Sequence, residues 1–139
     1  MTEFLGAAIH IAREAGSLLL PYFHRRVKVE YKGDVDLVTE ADRASEALIL
    51  DRLRAYFPSH SIMAEESGGH DADSPFRWYV DPLDGTTNFA HSYPVFCVSI
   101  ALARADEMIA GVRISAESFR RKEAGGRAFA HRGDFPRIH

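Results

Sequence analysis

The stretch Trp78-Tyr79-Val80-Asp81-Pro82-Leu83-Asp84-Gly85-Thr86-Thr87-Asn88-Phe89 decides how the chain is read. Its first residues close a predicted strand over 77–81. An acid, a proline and a second acid follow. Pro82 cannot continue a hydrogen-bonded ladder, so a turn is expected there. Asp84 can then fold back beside Asp81. Two carboxylates held together repel unless a cation lies between them. Gly85 permits an unusual backbone angle. A helix beginning near Thr86 or Thr87 would offer free N–H groups, which attract phosphate. Hard-cation ligands beside an anion cradle suit metal-assisted phosphoryl hydrolysis. In a plainer reading Asp84 caps the helix and Asp81 makes an ordinary turn. One cap, however, does not need two acids, a glycine and two threonines.

The 139 residues suffice for one ordinary domain of globular composition. No apolar run is long enough to span a bilayer. The N-terminus lacks a basic leader and reads as a helix. The single cysteine, Cys97, excludes an internal disulfide framework and fits a cytoplasmic protein. Its apolar neighbours favour a core role over a nucleophile. Residues 1–112 hold 10 Lys+Arg against 17 Asp+Glu, whereas residues 113–139 hold 7 against 3. The acidic body argues against nucleic acid as the main partner.

Phe4, Ala8, Ile11, Ala12, Ala15, Leu18, Leu19 and Tyr22 recur at helical spacing and predict a helix over 3–23. Val27 to Tyr31 alternates as a strand, and Lys32-Gly33-Asp34 reads as a turn. Thr39 looks like an N-cap with Asp42 three residues on. The helix it opens should bury Ala44, Leu48, Leu53 and Tyr56 or Phe57, and Pro58 should end it. Strands are expected over 61–66, 77–81 and 94–103. A turn at 104–107 then returns a hairpin arm over 108–112. The order predicts an α+β or layered α/β fold with a mixed sheet.

Two further acidic sites stand out. Glu65 and Glu66 end a strand and point to opposite sides, so one could reach a metal; a solvated turn explains them equally simply. Asp42 either completes a capping box or accepts a proton from a hydroxyl such as that of Thr86. The histidines form no i, i+4 pair, which argues against zinc. No nucleophile elbow, phosphate-binding glycine loop, dinucleotide fingerprint or EF-hand pattern is present.

Together these segments resemble the inositol monophosphatase family of Mg²⁺-dependent, lithium-sensitive phosphatases. Asp81-Pro82-Leu83-Asp84-Gly85-Thr86-Thr87-Asn88 is similar to that family's signature. Val35-Asp36-Leu37-Val38-Thr39-Glu40-Ala41-Asp42 and Ala64-Glu65-Glu66-Ser67 match upstream in the expected order. The resemblance implies the N-terminal part of an α/β/α/β/α sugar-phosphatase sandwich. It implies two or three Mg²⁺ ions held by Glu65, Asp81, the Leu83 carbonyl and Asp84. It further implies water activation by Thr86 with Asp42, and phosphate held by the N–H groups of Gly85 and Thr86. Glu66 and Lys32 are implied as supporting residues, a phosphorylated polyol as substrate, and a homodimer as assembly. Myo-inositol 1-phosphate is the first expectation. Relatives acting on 3′-phosphoadenosine nucleotides, fructose 1,6-bisphosphate or histidinol phosphate share the motif.

The resemblance covers residues 3 to 112. The later tryptophan-aspartate segment, whose aspartate completes the second metal site, is absent from this sequence. Residues 113–139 form a basic tail, read either as a shifted reading frame or as a divergent strand pair. A truncated chain that binds metal or a protein partner without turnover is the alternative function.

Overall fold

The computed structural model describes residues 2–28, 34–64, 69–91, 93–115 and 127–129. Two long helices, α1 (Thr2–Lys28) and α2 (Asp34–Tyr56), precede the strands β1 (Ser61–Ala64) and β2 (Phe76–Asp84). The short helix α3 (Thr86–Ala90) leads into β3 (Cys97–Arg104), β4 (Glu107–Ser115) and β5 (Arg127–Phe129). The five strands among the described residues lie side by side in the order β1-β2-β3-β4-β5. The β1–β2 pair is parallel and the others are antiparallel, so the sheet is mixed as the element order predicts.

The helices form a layer against the sheet. α1 packs on α2, β3 and β4, while α2 packs on β2 and α3. Ala8, Ile11, Ala12, Ala15, Leu19 and Phe23 of α1 are buried, at the expected period. Pro21 lies inside α1. It and Ser17, whose carbonyl loses its usual i+4 donor there, are both on the exposed side, so that carbonyl is open to solvent. Trp78, Val80, Val98, Ile100, Leu102, Val112 and Ile114 complete the core from the sheet.

Several expectations need correction. α1 runs through Lys28, so Val27 and Lys28 are helical rather than the start of a strand. Extending a formed helix adds a hydrogen bond per residue, which outweighs the small penalty of one β-branched valine. The expected turn residues Lys32 and Gly33 lie outside the described residues. α2 begins at Asp34, which puts Thr39 inside the helix rather than at its cap. The buried residues of α2 are Ala41, Ser45, Glu46, Ile49, Leu50 and Leu53, whereas Ala44 and Leu48 are only partly buried; of the pair expected at its end, Phe57 packs against the core and Tyr56 is 52% exposed. The helix is rotated from the expected phase because the buried stripe includes a serine, which hydropathy counts as outward-facing. β3 starts at Cys97 rather than at Pro94, and Val95, inside the expected strand, is 56% exposed. The Asn88 side-chain amide donates to the Val95 carbonyl at 2.9 Å, which holds that segment as a loop.

The hairpin turn forms where expected. Ala105 and Asp106 both have positive φ, 47° and 69°, which the tight two-residue connection between Arg104 and Glu107 demands. β4 continues past Val112 to Ser115, and β5 pairs with its Gly111–Arg113 portion. Among the described residues no helix is long and apolar enough to cross a membrane.

Trp78 anchors the far end of the sheet. Its indole N–H donates to His60 Nδ1 at 3.0 Å, and Phe57 stacks on its ring. His60, in the connection between the helix expected to end at Pro58 and the strand expected from 61, is buried among Phe57, Phe76 and Trp78. Burial holds the His60 imidazole below its ordinary pKa. A lowered folded-state value means the unfolded chain takes the proton more readily. The stability carried by neutral His60 is therefore present above the unfolded value, about 6.5, and is lost as pH falls through the folded one. Protonation would also turn the Nδ1 acceptor into a donor facing the indole N–H. The melting temperature should fall more steeply between pH 7.5 and pH 5 in the parent chain than in His60→Phe. Parallel declines would remove His60 from the account.

Candidate active site at the end of strand β2

The two acids of Asp81-Pro82-Leu83-Asp84 are three residues apart, a spacing that points side chains to opposite faces of a regular strand. The structure resolves the conflict with a β-bulge. Asp81 pairs with Ser99 and Asp84 with Cys97, so β2 advances three residues while β3 advances two. Pro82 and Leu83 together stand opposite Val98. The extra residue brings Asp81 and Asp84 to the same face of the sheet. The chain therefore does not leave the sheet at Pro82, as expected from sequence; β2 continues to Asp84. A bulge is one of the few sheet interiors that accept a residue without an N–H.

The bulge is braced from the helical layer. The Ser45 hydroxyl on α2 donates to the Pro82 carbonyl at 2.8 Å, and Ser45 is fully buried. Sequence reading missed this residue. Asp42 lies three positions earlier on the same helix, on the turn that adjoins Ser45, and is half-buried. Ser45→Ala strands the Pro82 carbonyl in a dry setting and should cost about 1–3 kcal/mol. Chemical denaturation checks this; a loss below a few tenths of a kcal/mol would show that the bulge holds itself.

After the bulge the chain turns sharply. Gly85 adopts φ +87° as the N-cap of α3, and Thr86 is the first helical residue. A Cβ at position 85 would sit 2.9 Å from the Val95 carbonyl oxygen, so only glycine fits both the angle and the space. Phe89 of α3 is buried against Phe23 of α1 and Phe96, with ring centroids 5.5 and 4.9 Å away. This aromatic triad fixes where α3 begins relative to the bulge. The expected glycine angle and helix start are both present. Thr86 is exposed, and Leu83 is buried.

Two further residues join the acid pair. In the row across the sheet, Asp81 stands beside Ser99 and Ser99 beside Arg113. Arg113 Nη2 donates to Asp84 Oδ2 at 3.0 Å, and its Nε donates to Cys97 Sγ at 3.2 Å. The Cys97 thiol points at the same carboxylate oxygen, with Sγ at 3.5 Å. Burial pushes the Cys97 thiol up, the nearby Asp84 carboxylate adds to this, and Arg113 opposes it. Cys97 thus stays a protonated, buried thiol, in keeping with a packing role. Neither Cys97 nor Arg113 carried a site signal in sequence, because their proximity to Asp84 comes only from strand register.

The carboxylates of Asp81 and Asp84 and the backbone carbonyls of the bulge are hard oxygen donors, the set that Mg²⁺ takes. Among the described residues, no three His, Cys, Asp or Glu side chains gather closely enough to hold a metal by themselves. Ala64, the last residue of β1, pairs with Val80, immediately before Asp81. Glu65 and Glu66, which follow Ala64 in sequence, and Lys32 lie outside the described residues.

Fold and acid pair together define a class: a layered mixed-sheet protein in which an interior strand, β2, ends in a bulged pair of carboxylates beside a helix start. A profile described as the inositol monophosphatase family matches residues 1–116. Inositol monophosphatase 2 of Solanum lycopersicum is 44% identical over 117 residues, covering 81% of this chain and 44% of that protein. Nus factor SuhB of Salmonella typhimurium is 43% identical over 105 residues, covering 73% of this chain and 39% of that protein. The solved inositol monophosphatase of Anabaena superposes with a TM-score of 0.71 at 38% identity, covering 91% of this chain and 47% of that one. The chain belongs to the inositol monophosphatase family. It spans less than half the length of these relatives.

Proposed function

We propose that the chain carries the metal-binding half of a phosphomonoesterase acting on inositol 1-phosphate or a similar polyol phosphate. The observation that carries this reading is the bulge that turns Asp81 and Asp84 to one face, directly before the Gly85–Thr86 helix start. Family membership supports the reaction class.

Asp81, Asp84 and the Leu83 carbonyl would hold the divalent ions, two or three Mg²⁺ in number, with Glu65 as a further ligand. Bound Mg²⁺ supplies Lewis acidity toward the phosphate oxygens and the attacking water. The Gly85 and Thr86 N–H groups orient the phosphate. Thr86 Oγ1 aligns the water and passes its proton toward the Asp42 carboxylate. Glu66 and Lys32 support these ligands from outside the metal contacts. Residues 1–112 form the N-terminal part of the family's domain in this reading, and 113–139 a divergent basic segment.

The test is phosphate release from myo-inositol 1-phosphate with Mg²⁺, with and without lithium. Lithium-sensitive release is the expected result; its absence, also in a version extended to the relatives' length, would overturn the assignment. A second reading is a protein-binding chain without turnover. It is favoured by the relative named as a Nus factor. Mg²⁺ binding without phosphate release in both versions would support it.

A further inference from the structure

Arg113 is the charged residue beside Asp84 that neither the signature nor the proposed chemistry uses. Strand register puts it on the acid face: Asp81, Ser99 and Arg113 are successive partners across β2, β3 and β4. Its guanidinium is anchored at two points, Nη2 on Asp84 Oδ2 at 3.0 Å and Nε on Cys97 Sγ at 3.2 Å. The fork geometry fits arginine better than lysine, since two donors in one plane meet two acceptors on adjacent strands. The carboxylate it occupies is the one proposed to bind a divalent cation.

We propose that Arg113 is a tethered counter-ion of Asp84 that competes with the divalent cation, so that the metal binds only as the guanidinium leaves Oδ2. This rests on the metal-site reading above. The positive charge lies where a second positive charge must enter, so the two occupancies oppose each other. The Arg113 side chain is 62% exposed and that of Asp84 46%. An ion pair this open is weakly held and screened, so the guanidinium swings into solvent at small cost. Arg113 therefore weakens metal binding without abolishing it. Neutralising it should tighten Mg²⁺ binding about three- to fivefold, the range an exposed ion pair commands.

The experiment is calorimetric titration of Mg²⁺ into the whole chain at fixed ionic strength, for the parent, Arg113→Ala, Arg113→Gln, Arg113→Lys and Asp84→Asn. Arg113→Ala and Arg113→Gln should bind about three- to fivefold more tightly, and Arg113→Lys should stay near the parent because the charge remains. If Arg113→Ala does not fold, Arg113→Gln gives the same reading. Parent binding that is lost in Asp84→Asn but is equal or weaker in both neutral Arg113 variants would overturn the competition while leaving the metal site standing. A parent titration indistinguishable from that of Asp84→Asn would overturn the metal-site reading and this inference with it.

Discussion

Replacing Asp81 with Asn is expected to cut Mg²⁺-dependent phosphate release about a thousandfold. On the proposed reading, and following the ligand pattern of the family it resembles, Asp81 would serve two of the cations and Asp84 one, so the loss of Asp81 removes charge from two sites. Several kcal/mol of transition-state stabilisation rest on such ions, and each 1.4 kcal/mol is about a factor of ten. Asp84→Asn should fall less, about a hundredfold, because it serves one ion. Asparagine keeps the shape of each side chain, so circular dichroism should be unchanged while the rates fall. Initial rates at saturating Mg²⁺ decide the matter. An Asp81→Asn rate within about threefold of the parent would remove the acid pair from the chemistry.

The largest expected loss of stability is at Trp78. The indole is fully buried, stacks on Phe57 and donates to His60. Trp78→Ala leaves a cavity between the sheet and the helical layer and an acceptor without its donor. Such truncations cost about 3–5 kcal/mol, a large part of the roughly 5–15 kcal/mol that holds a domain folded. Trp78→Phe keeps one aromatic ring but loses the N–H and part of the indole volume, and should cost less, about 1–3 kcal/mol. Trp78 is the only tryptophan, so unfolding is followed by far-ultraviolet circular dichroism rather than by its fluorescence. A Trp78→Ala loss below about 1 kcal/mol would mean that the wall around Trp78 collapses to fill the space.

Much of this architecture was legible because local chemistry and tertiary structure agree. The glycine at position 85, the helix start at Thr86 and the hairpin at Ala105–Asp106 each follow from rules acting over a few residues. The nearly continuous apolar run of β3 and its return through β4 likewise report a strand pair. What was missed depends on partners distant in sequence. Ser45 looks outward-facing until the bulge supplies a buried carbonyl for its hydroxyl to meet. Pro82 looks like a strand terminator until the register shift removes the need for its N–H. His60 looks like a loop residue until Trp78 provides the donor that makes its burial tolerable. Arg113 sits 29 positions from Asp84, a separation no local motif spans. The signature acids were identifiable from spacing and resemblance, but their sharing of one sheet face depends on a single extra residue in β2.

That shared face is the central claim, and Mn²⁺ tests it directly. Mn²⁺ takes the same oxygen ligands as Mg²⁺, and its unpaired electrons broaden the NMR signals of nearby nuclei. In a ¹⁵N-labelled chain, substoichiometric Mn²⁺ should broaden the amides of Asp81 and of residues 83–86 first, with their ladder neighbours Cys97, Ser99 and Arg113 next. The Asp81→Asn, Asp84→Asn double variant should lose the effect. Broadening centred instead on exposed acids such as Asp71 and Asp73, or spread evenly along the chain, would contradict the account.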